Sequence, residues 1–262
     1  VNFAVVGSTA LVNSFFATTN ISVPSTNIPL SPPVKWFKKH LSSVSNSRSQ
    51  IKKRLKRALI MVGEIGGNYF NCIFSQGKSL KESRVYVPPV VKAICNAVRE
   101  VIQFGAVHVV VPGNFPAGCL PKALASFSSA DPKAYDDYGC LTESNKFALL
   151  FNRYLQKALA SLRLEFPNAD IRYFDYYKAF EYVLQNARYL GFDQRSLLKA
   201  CCGTGEKYNF NSTKVCGSPG VKACHNPEKF INWDGVHLTQ ATYHYISEHL
   251  IRDVLSEMKC LP

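Results

Sequence analysis

Val107-His108-Val109-Val110-Val111-Pro112-Gly113-Asn114 is the stretch that decides the fold. Its β-branched run reads as a strand, and the Pro-Gly pair breaks it. Beyond it, Phe147, Leu150, Phe151, Leu155, Ala158, Leu159 and Leu162 recur at helical spacing and stop before Pro167, which predicts a helix with one face in a core. Ile171 to Phe174 then forms another strand candidate. Strand, long helix and strand in succession call for parallel pairing through a crossover helix. Working outward, Leu59 to Val62 and Asn2 to Val6 are further strand candidates. Tyr243, Ile246, Leu250 and Val254 trace a second apolar stripe near the C-terminus. The expectation is an α/β fold built on a parallel sheet.

Length and composition fit that fold. With 262 residues and 47% hydrophobic content, the chain can bury a substantial core, and it is expected to form a single domain over 1–262. No apolar run reaches the 18 or so residues of a membrane span. Charge is unevenly distributed. No acidic residue precedes Glu64, while Lys35, Lys38, Lys39, Arg48, Lys52, Lys53, Arg54, Lys56 and Arg57 supply nine cations against a net charge of +13. The plain reading of this basic stretch 35–57 is a solvated helix face leading into the strand at Leu59. Trp36 and Phe37, at its edge, are read as anchors of that helix to the core. The sharper reading is a contact for polyanions, either acidic cell-wall polysaccharide or nucleic acid. Nucleic acid is disfavoured by the lack of interleaved aromatics and of a recognised DNA-binding signature.

The chemistry concentrates in Trp233-Asp234-Gly235-Val236-His237-Leu238-Thr239. A carboxylate three residues before an imidazole can hold one ring nitrogen and fix the tautomer. The other nitrogen is then free to take a proton from a hydroxyl and return it to a leaving group. The plain alternative is a capping Asp beside a surface His. His40, His108, His225, His244 and His249 show no carboxylate at a helpful spacing and carry no functional reading.

Around this pair, Cys201-Cys202-Gly203-Thr204-Gly205, Tyr208-Asn209, Cys216-Gly217, Cys224 and Pro227 lead into Trp233-Asp234-Gly235 in a pattern that resembles the plant GDSL esterase/lipases, a branch of the SGNH hydrolases. The likeness extends to Val1-Asn2-Phe3-Ala4-Val5-Val6-Gly7-Ser8-Thr9-Ala10, to Val62-Gly63-Glu64-Ile65-Gly66-Gly67-Asn68, to Val109 through Cys119, and to Tyr138-Gly139-Cys140-Leu141. The resemblance implies a three-layer α/β/α sandwich of the SGNH-hydrolase, flavodoxin-like type, with a five-stranded parallel sheet in the order 2-1-3-4-5. It also implies a carboxylic-ester hydrolase with a Ser-Asp-His triad that needs no metal or organic cofactor and acts on a small-molecule or lipid ester. Asp234 and His237 take the catalytic positions, and Gly7 and Asn68 those of the oxyanion hole. Asn114 and Phe115 follow a strand end, where ligands bind in such sheets, and are candidates for an acyl pocket.

Two departures stand out. No Gly-Asp-Ser occurs in the 262 residues, nor the Gly-x-Ser-x-Gly elbow of the other large hydrolase fold. In the family the nucleophile block lies upstream of the segment resembled by Val1 to Ala10, so the chain is expected to be N-terminally truncated, with the first strand of the sheet missing. The two strands flanking the gap would expose unpaired backbone groups at about 1 to 3 kcal/mol each. Ser8, beside Gly7, is a candidate substitute nucleophile. The second departure is Tyr69, which stands where the family has an Asp. Two rival functions follow, an acyltransferase using the same acyl-enzyme and a non-catalytic binding protein.

The nine cysteines fit the secreted habit that the resemblance implies. Cys201, Cys202, Cys216 and Cys224 suit disulfides better than zinc, whose ligand spacing the adjacent Cys201 and Cys202 do not match. Cys119 and Cys140 read as a further pair, and Cys72, Cys95 and Cys260 are the candidates for a free thiol. Asn20-Ile21-Ser22 and Asn211-Ser212-Thr213 are glycosylation sequons, consistent with a secreted glycoprotein.

Overall fold

The computed structural model describes residues 1–12, 14–15 and 28–258. The sequon at Asn20 and the thiol of Cys260 lie outside them, as does the side chain of Cys72. The chain divides into two compact units, one of residues 1–114, 150–175 and 254–262, the other of residues 115–149 and 176–253. Among the described residues no helix is long and apolar enough to cross a membrane.

The first unit holds the sheet. Its strands are β1 (Leu59–Met61), β2 (His108–Pro112) and β3 (Asp170–Phe174), in the order β1-β2-β3 and all parallel. Register runs Ile60 to Val109 and Val109 to Ile171. These are the strand candidates at Leu59, Val107 and Ile171, displaced by no more than a residue. Every residue of β2 is buried, as a central parallel strand requires. Helices α1 (Ser31–Ser43) and α2 (Arg48–Leu55) precede β1. Helices α3 (Gly67–Ser75) and α4 (Val87–Phe104) lie between β1 and β2. Helix α4 buries Val87, Val90, Val91, Ile94, Val98 and Val101, a stripe at spacings of three and four, with prolines in its first turn where no N–H partner is lost. Helix α5 (Thr142–Glu165) carries the stripe expected from Phe147 to Leu162. Its Phe151, Leu155, Leu159 and Leu162 are almost wholly buried, each worth about 1.5 to 3 kcal/mol of apolar transfer.

Contrary to the sequence expectation, Asn2 to Val6 forms no strand; the segment runs without regular pairing into a turn at Val6-Gly7. The reason is physical. A strand exists through its ladder, and among the described residues β1 pairs with β2 alone and none pairs in a ladder with Asn2 to Val6. Between this segment and β1 lies a cavity of about 680 Å³, lined by Val1, Phe3 and Val5 on one side and by Leu59, Met61 and Gly63 on the other. Apolar side chains remain accessible along it: Met61 and Leu59 are 44% and 38% exposed.

The expected anchoring role of Trp36 also fails. Phe37 packs edge-on against Phe3 and Phe104, but Trp36 is 42% exposed, about 200° around α1 from the buried Val34. Lys38 instead ties α1 to α4 through Glu100 at 2.7 Å.

The second unit contains α6 (Tyr176–Gln185), α7 (Gln240–Asp253) and the cystine-rich loops. The pairs are Cys119–Cys140, Cys201–Cys224 and Cys202–Cys216, so the four clustered cysteines are consumed by disulfides. Among the described residues Cys95 is a free, buried thiol. Helix α7 starts just after His237, as expected, packs on α6, and buries Thr242 and Ile246. Its stripe is narrower than the sequence suggested, since Tyr243 is 40% exposed.

Candidate active site

The loop from Ile231 to Thr239 is closed by its own backbone. The N–H of Trp233 donates to the carbonyl of His237 at 2.8 Å, and that of Thr239 donates to Ile231 at 2.9 Å. The Thr239 hydroxyl accepts the N–H of Thr242 and so caps α7. The cystine loops pin the other edge: Cys201 and Cys202 donate to the carbonyls of Asn232 and Trp233 at 2.9 and 2.7 Å. Gly235 makes the bend with φ of +93°, and a Cβ there would run into the Phe210 ring, so no other residue fits.

This bend aims Asp234 at two targets. Its Oδ1 accepts the N–H groups of Val236 at 2.9 Å and His237 at 2.7 Å, while Oδ2 meets His237 Nδ1 at 2.7 Å. Partial burial works against ionisation of Asp234, but the hydrogen bonds from His237 and Val236 outweigh it and hold the carboxyl below its usual range. The same contact from Asp234 raises the His237 imidazole above its ordinary value, against a smaller opposing effect of burial. With Nδ1 engaged, Nε2 is the nitrogen left for a substrate-side proton, and the His237 side chain is 57% exposed and reachable. A base oriented by a carboxylate can serve a hydroxyl nucleophile.

Gly7 and Asn68 belong to the first unit. Gly7 sits at φ of +70° in the turn after Val5. Asn68, in the first turn of α3, donates one amide hydrogen from Nδ2 to the Ser8 carbonyl at 3.2 Å, so the two segments that carry the expected donors are tied together. An amide nitrogen has two hydrogens, so a second remains for a ligand. Ser8 makes a poor nucleophile: its residue is buried and its hydroxyl donates to the Ile28 carbonyl at 2.7 Å. Tyr69 turns into the apolar interior, fully buried and edge-on to Phe70 and Tyr86. Asn68 is thus held by Ser8 and by the start of α3, with no carboxylate at position 69.

Glu64 is the residue that the sequence reading passed over. It lines the cavity with Ser8 and Asn68, and its Oε1 accepts the N–H of Gly67 at 3.4 Å. Close packing pushes its carboxyl up to about 7, with the Gly67 contact pulling weakly the other way. A lone acid inside a glycine-rich, otherwise apolar block was the available signal. The histidines on α7 also have carboxylate partners after all. His244 meets Glu248 at 3.3 Å and His249 meets Asp253 at 3.4 Å, both one helical turn apart. Arg252 shares His249 and Asp253, which makes that group a surface ion cluster. Asn114 has its N–H and carbonyl taken by the Asn152 amide at 2.7 and 2.8 Å, and Phe115 stacks edge-on to Tyr176.

Comparison with known proteins identifies the family of the chain. The sequence pattern described as GDSL-like lipase/acylhydrolase matches residues 1–250. A GDSL esterase/lipase of Arabidopsis thaliana is 55% identical over 260 residues, covering 99% of this chain and 79% of that protein. Acetylajmalan esterase 1 of Rauvolfia serpentina is 44% identical, covering 99% of this chain and 68% of its own length. Another Arabidopsis GDSL esterase/lipase is 40% identical over 96% of this chain and 62% of that protein. With its α/β fold and parallel sheet, the chain belongs to the GDSL-like lipase/acylhydrolase family.

Proposed function

We propose that this chain carries the acid–base half and the oxyanion donors of a carboxylic-ester hydrolase. A serine hydroxyl attacks the ester carbonyl while His237 Nε2 takes its proton, and Asp234 holds the imidazolium that forms. The Gly7 N–H and the free amide hydrogen of Asn68 receive the oxyanion. His237 then passes the proton to the departing alcohol, and a water, deprotonated by the same nitrogen, releases the acid. No redox or metal chemistry enters these steps. The observation that carries the reading is the 2.7 Å contact between Asp234 Oδ2 and His237 Nδ1 on an exposed imidazole.

The place this reading assigns to the serine is along the open edge of β1, in the cavity beside Asn68. The free edge and the volume of about 680 Å³ support that placement. The family match across residues 1–250 supports reading both units as one hydrolase domain. Relatives named for deacetylation favour short acyl groups. The three disulfides are compatible with an extracellular location, and Asn211 sits in an exposed loop where a glycan can be attached.

The test joins a Gly-Asp-Ser strand segment of the family to the N-terminus and measures hydrolysis of a short-chain aryl ester. Activity that falls at least about a thousandfold in His237→Ala supports the reading. Equal rates in the two proteins reject it. The absence of a Gly-Asp-Ser motif favours one second reading, that the protein binds ligands without turnover; a serine-restored chain that binds the ester but does not hydrolyse it supports this reading, and turnover by that chain decides against it.

A further inference from the structure

The basic stretch acquires a definite shape in the structure. On α1, Lys35 and Lys39 are exposed one turn apart; on α2, Arg48, Lys52, Lys53 and Arg54 are exposed, and Lys56 and Arg57 continue the exposed run past its end. The two helices touch, so their cations share one region of the first unit. Lys38 has an acidic partner, Glu100. No ion pair to the other eight occurs among the described residues, and residues 1–63 contain no Asp or Glu.

Such spacing is costly in isolation. Lys35 with Lys39, Arg48 with Lys52, Lys52 with Lys56, and Lys53 with Arg57 are like charges at i and i+4, which repel on a helix surface. The dipole at the C-terminus of α2 rationalises Lys52, Lys53 and Arg54 but not Arg48, Lys35 or Lys39. Binding of a polyanion relieves such repulsion. Beside these cations stands Trp36, an exposed indole three residues from Lys39. The electron-rich face of an indole packs against the C–H face of a sugar ring, while a neighbouring ammonium meets the carboxylate of that sugar. A single exposed aromatic lacks the succession of stacking platforms that single-stranded nucleic acid uses. The three disulfides fit the oxidising compartment in which acidic polysaccharides occur.

We propose that the exposed face of α1 and α2 is a docking surface for an acidic polysaccharide, bound through the Lys and Arg side chains and a sugar stacked on Trp36. The surface belongs to the first unit and the dyad to the second, and the proposal does not depend on ester hydrolysis, so binding is measured with no ester present.

The experiment measures equilibrium binding of the chain to polygalacturonate, with dextran and a thymidine oligonucleotide as comparison polymers. Polygalacturonate is expected to bind, dextran not, and affinity to fall at least about tenfold between about 50 and 200 mM NaCl. Joint substitution of Lys35→Gln, Lys39→Gln, Lys53→Gln, Lys56→Gln and Arg57→Gln is expected to weaken binding at least tenfold with the unfolding midpoint unchanged. Trp36→Ala is expected to weaken polygalacturonate binding more than oligonucleotide binding. Polygalacturonate affinity no greater than that for dextran, salt-independent binding, full retention in the multiple variant, or tighter binding of the oligonucleotide overturns the proposal. The salt dependence and polymer order use the unmodified chain, so they decide the matter even if a variant folds poorly.

Discussion

Glu64→Gln isolates the cost of an acid placed beside the expected oxyanion donor. In the native state the Glu64 carboxyl is pushed from 4.5 to about 7 by its packing against the cavity wall, whereas the unfolded chain restores the ordinary value. The folded protein therefore holds the proton more tightly. The stabilising contribution is complete below about pH 4.5 and is lost as pH rises through about 7. At 1.36 kcal/mol per pH unit the difference comes to about 3 kcal/mol, and access of water through the cavity lowers it to about 2 to 3. Glutamine cannot ionise but keeps an oxygen for the Gly67 N–H. The assay is urea unfolding of both proteins at intervals from about pH 4 to pH 8. The parent is expected to lose about 2 to 3 kcal/mol relative to the variant across that range, a divergence of about 1 M in midpoint at an ordinary urea slope. Parallel stability curves refute the reasoning, because they mean that Glu64 ionises in the folded state as it does in water.

Three further outcomes follow from the geometry. Gly235→Ala places a Cβ against Phe210 at φ of +93° and is expected to cost about 2 to 4 kcal/mol in chemical denaturation, with loss of ester turnover in the serine-restored enzyme. Joint Cys201→Ser and Cys224→Ser opens a 23-residue closure beside the dyad loop and is expected to lower stability by about 3 kcal/mol, read by the same denaturation under oxidising conditions. Asn68→Ala removes one proposed oxyanion donor and is expected to reduce kcat in the restored enzyme about a hundredfold to a thousandfold with little change in KM, measured by steady-state kinetics on an aryl ester.

How far the residues declared these features depends on where each is decided. The β-branched runs at Leu59 and Val107, and the strand that follows from Ile171, are local and fell within a residue of β1, β2 and β3. The helical stripe from Phe147 to Leu162 is equally local. Asn2 to Val6 has the same strand character, but a strand needs a neighbour, and pairing is settled by residues distant in sequence. The pairing of Cys201 with Cys224 and of Cys202 with Cys216 is likewise non-local, and four clustered cysteines admit other matches. The Asp234–His237 contact was legible because three residues and a glycine bend suffice to bring it about. What the spacing did not reveal is why the bend is obligatory, since Phe210 lies 25 positions before Gly235. Glu64 escaped notice because its significance comes from close packing, which composition does not encode. The α7 pairs of His244 and His249 were readable from their i, i+4 spacing and were overlooked.

The central claim is that Asp234 tunes His237 as a base, and an NMR titration of the His237 imidazole tests it in the chain as it stands. The account predicts a midpoint above the ordinary 6.5 for His237, with the Nδ1 proton shifted far downfield, and a lower midpoint in Asp234→Asn. A His237 that titrates at the ordinary value, unchanged when Asp234 becomes Asn, contradicts the account.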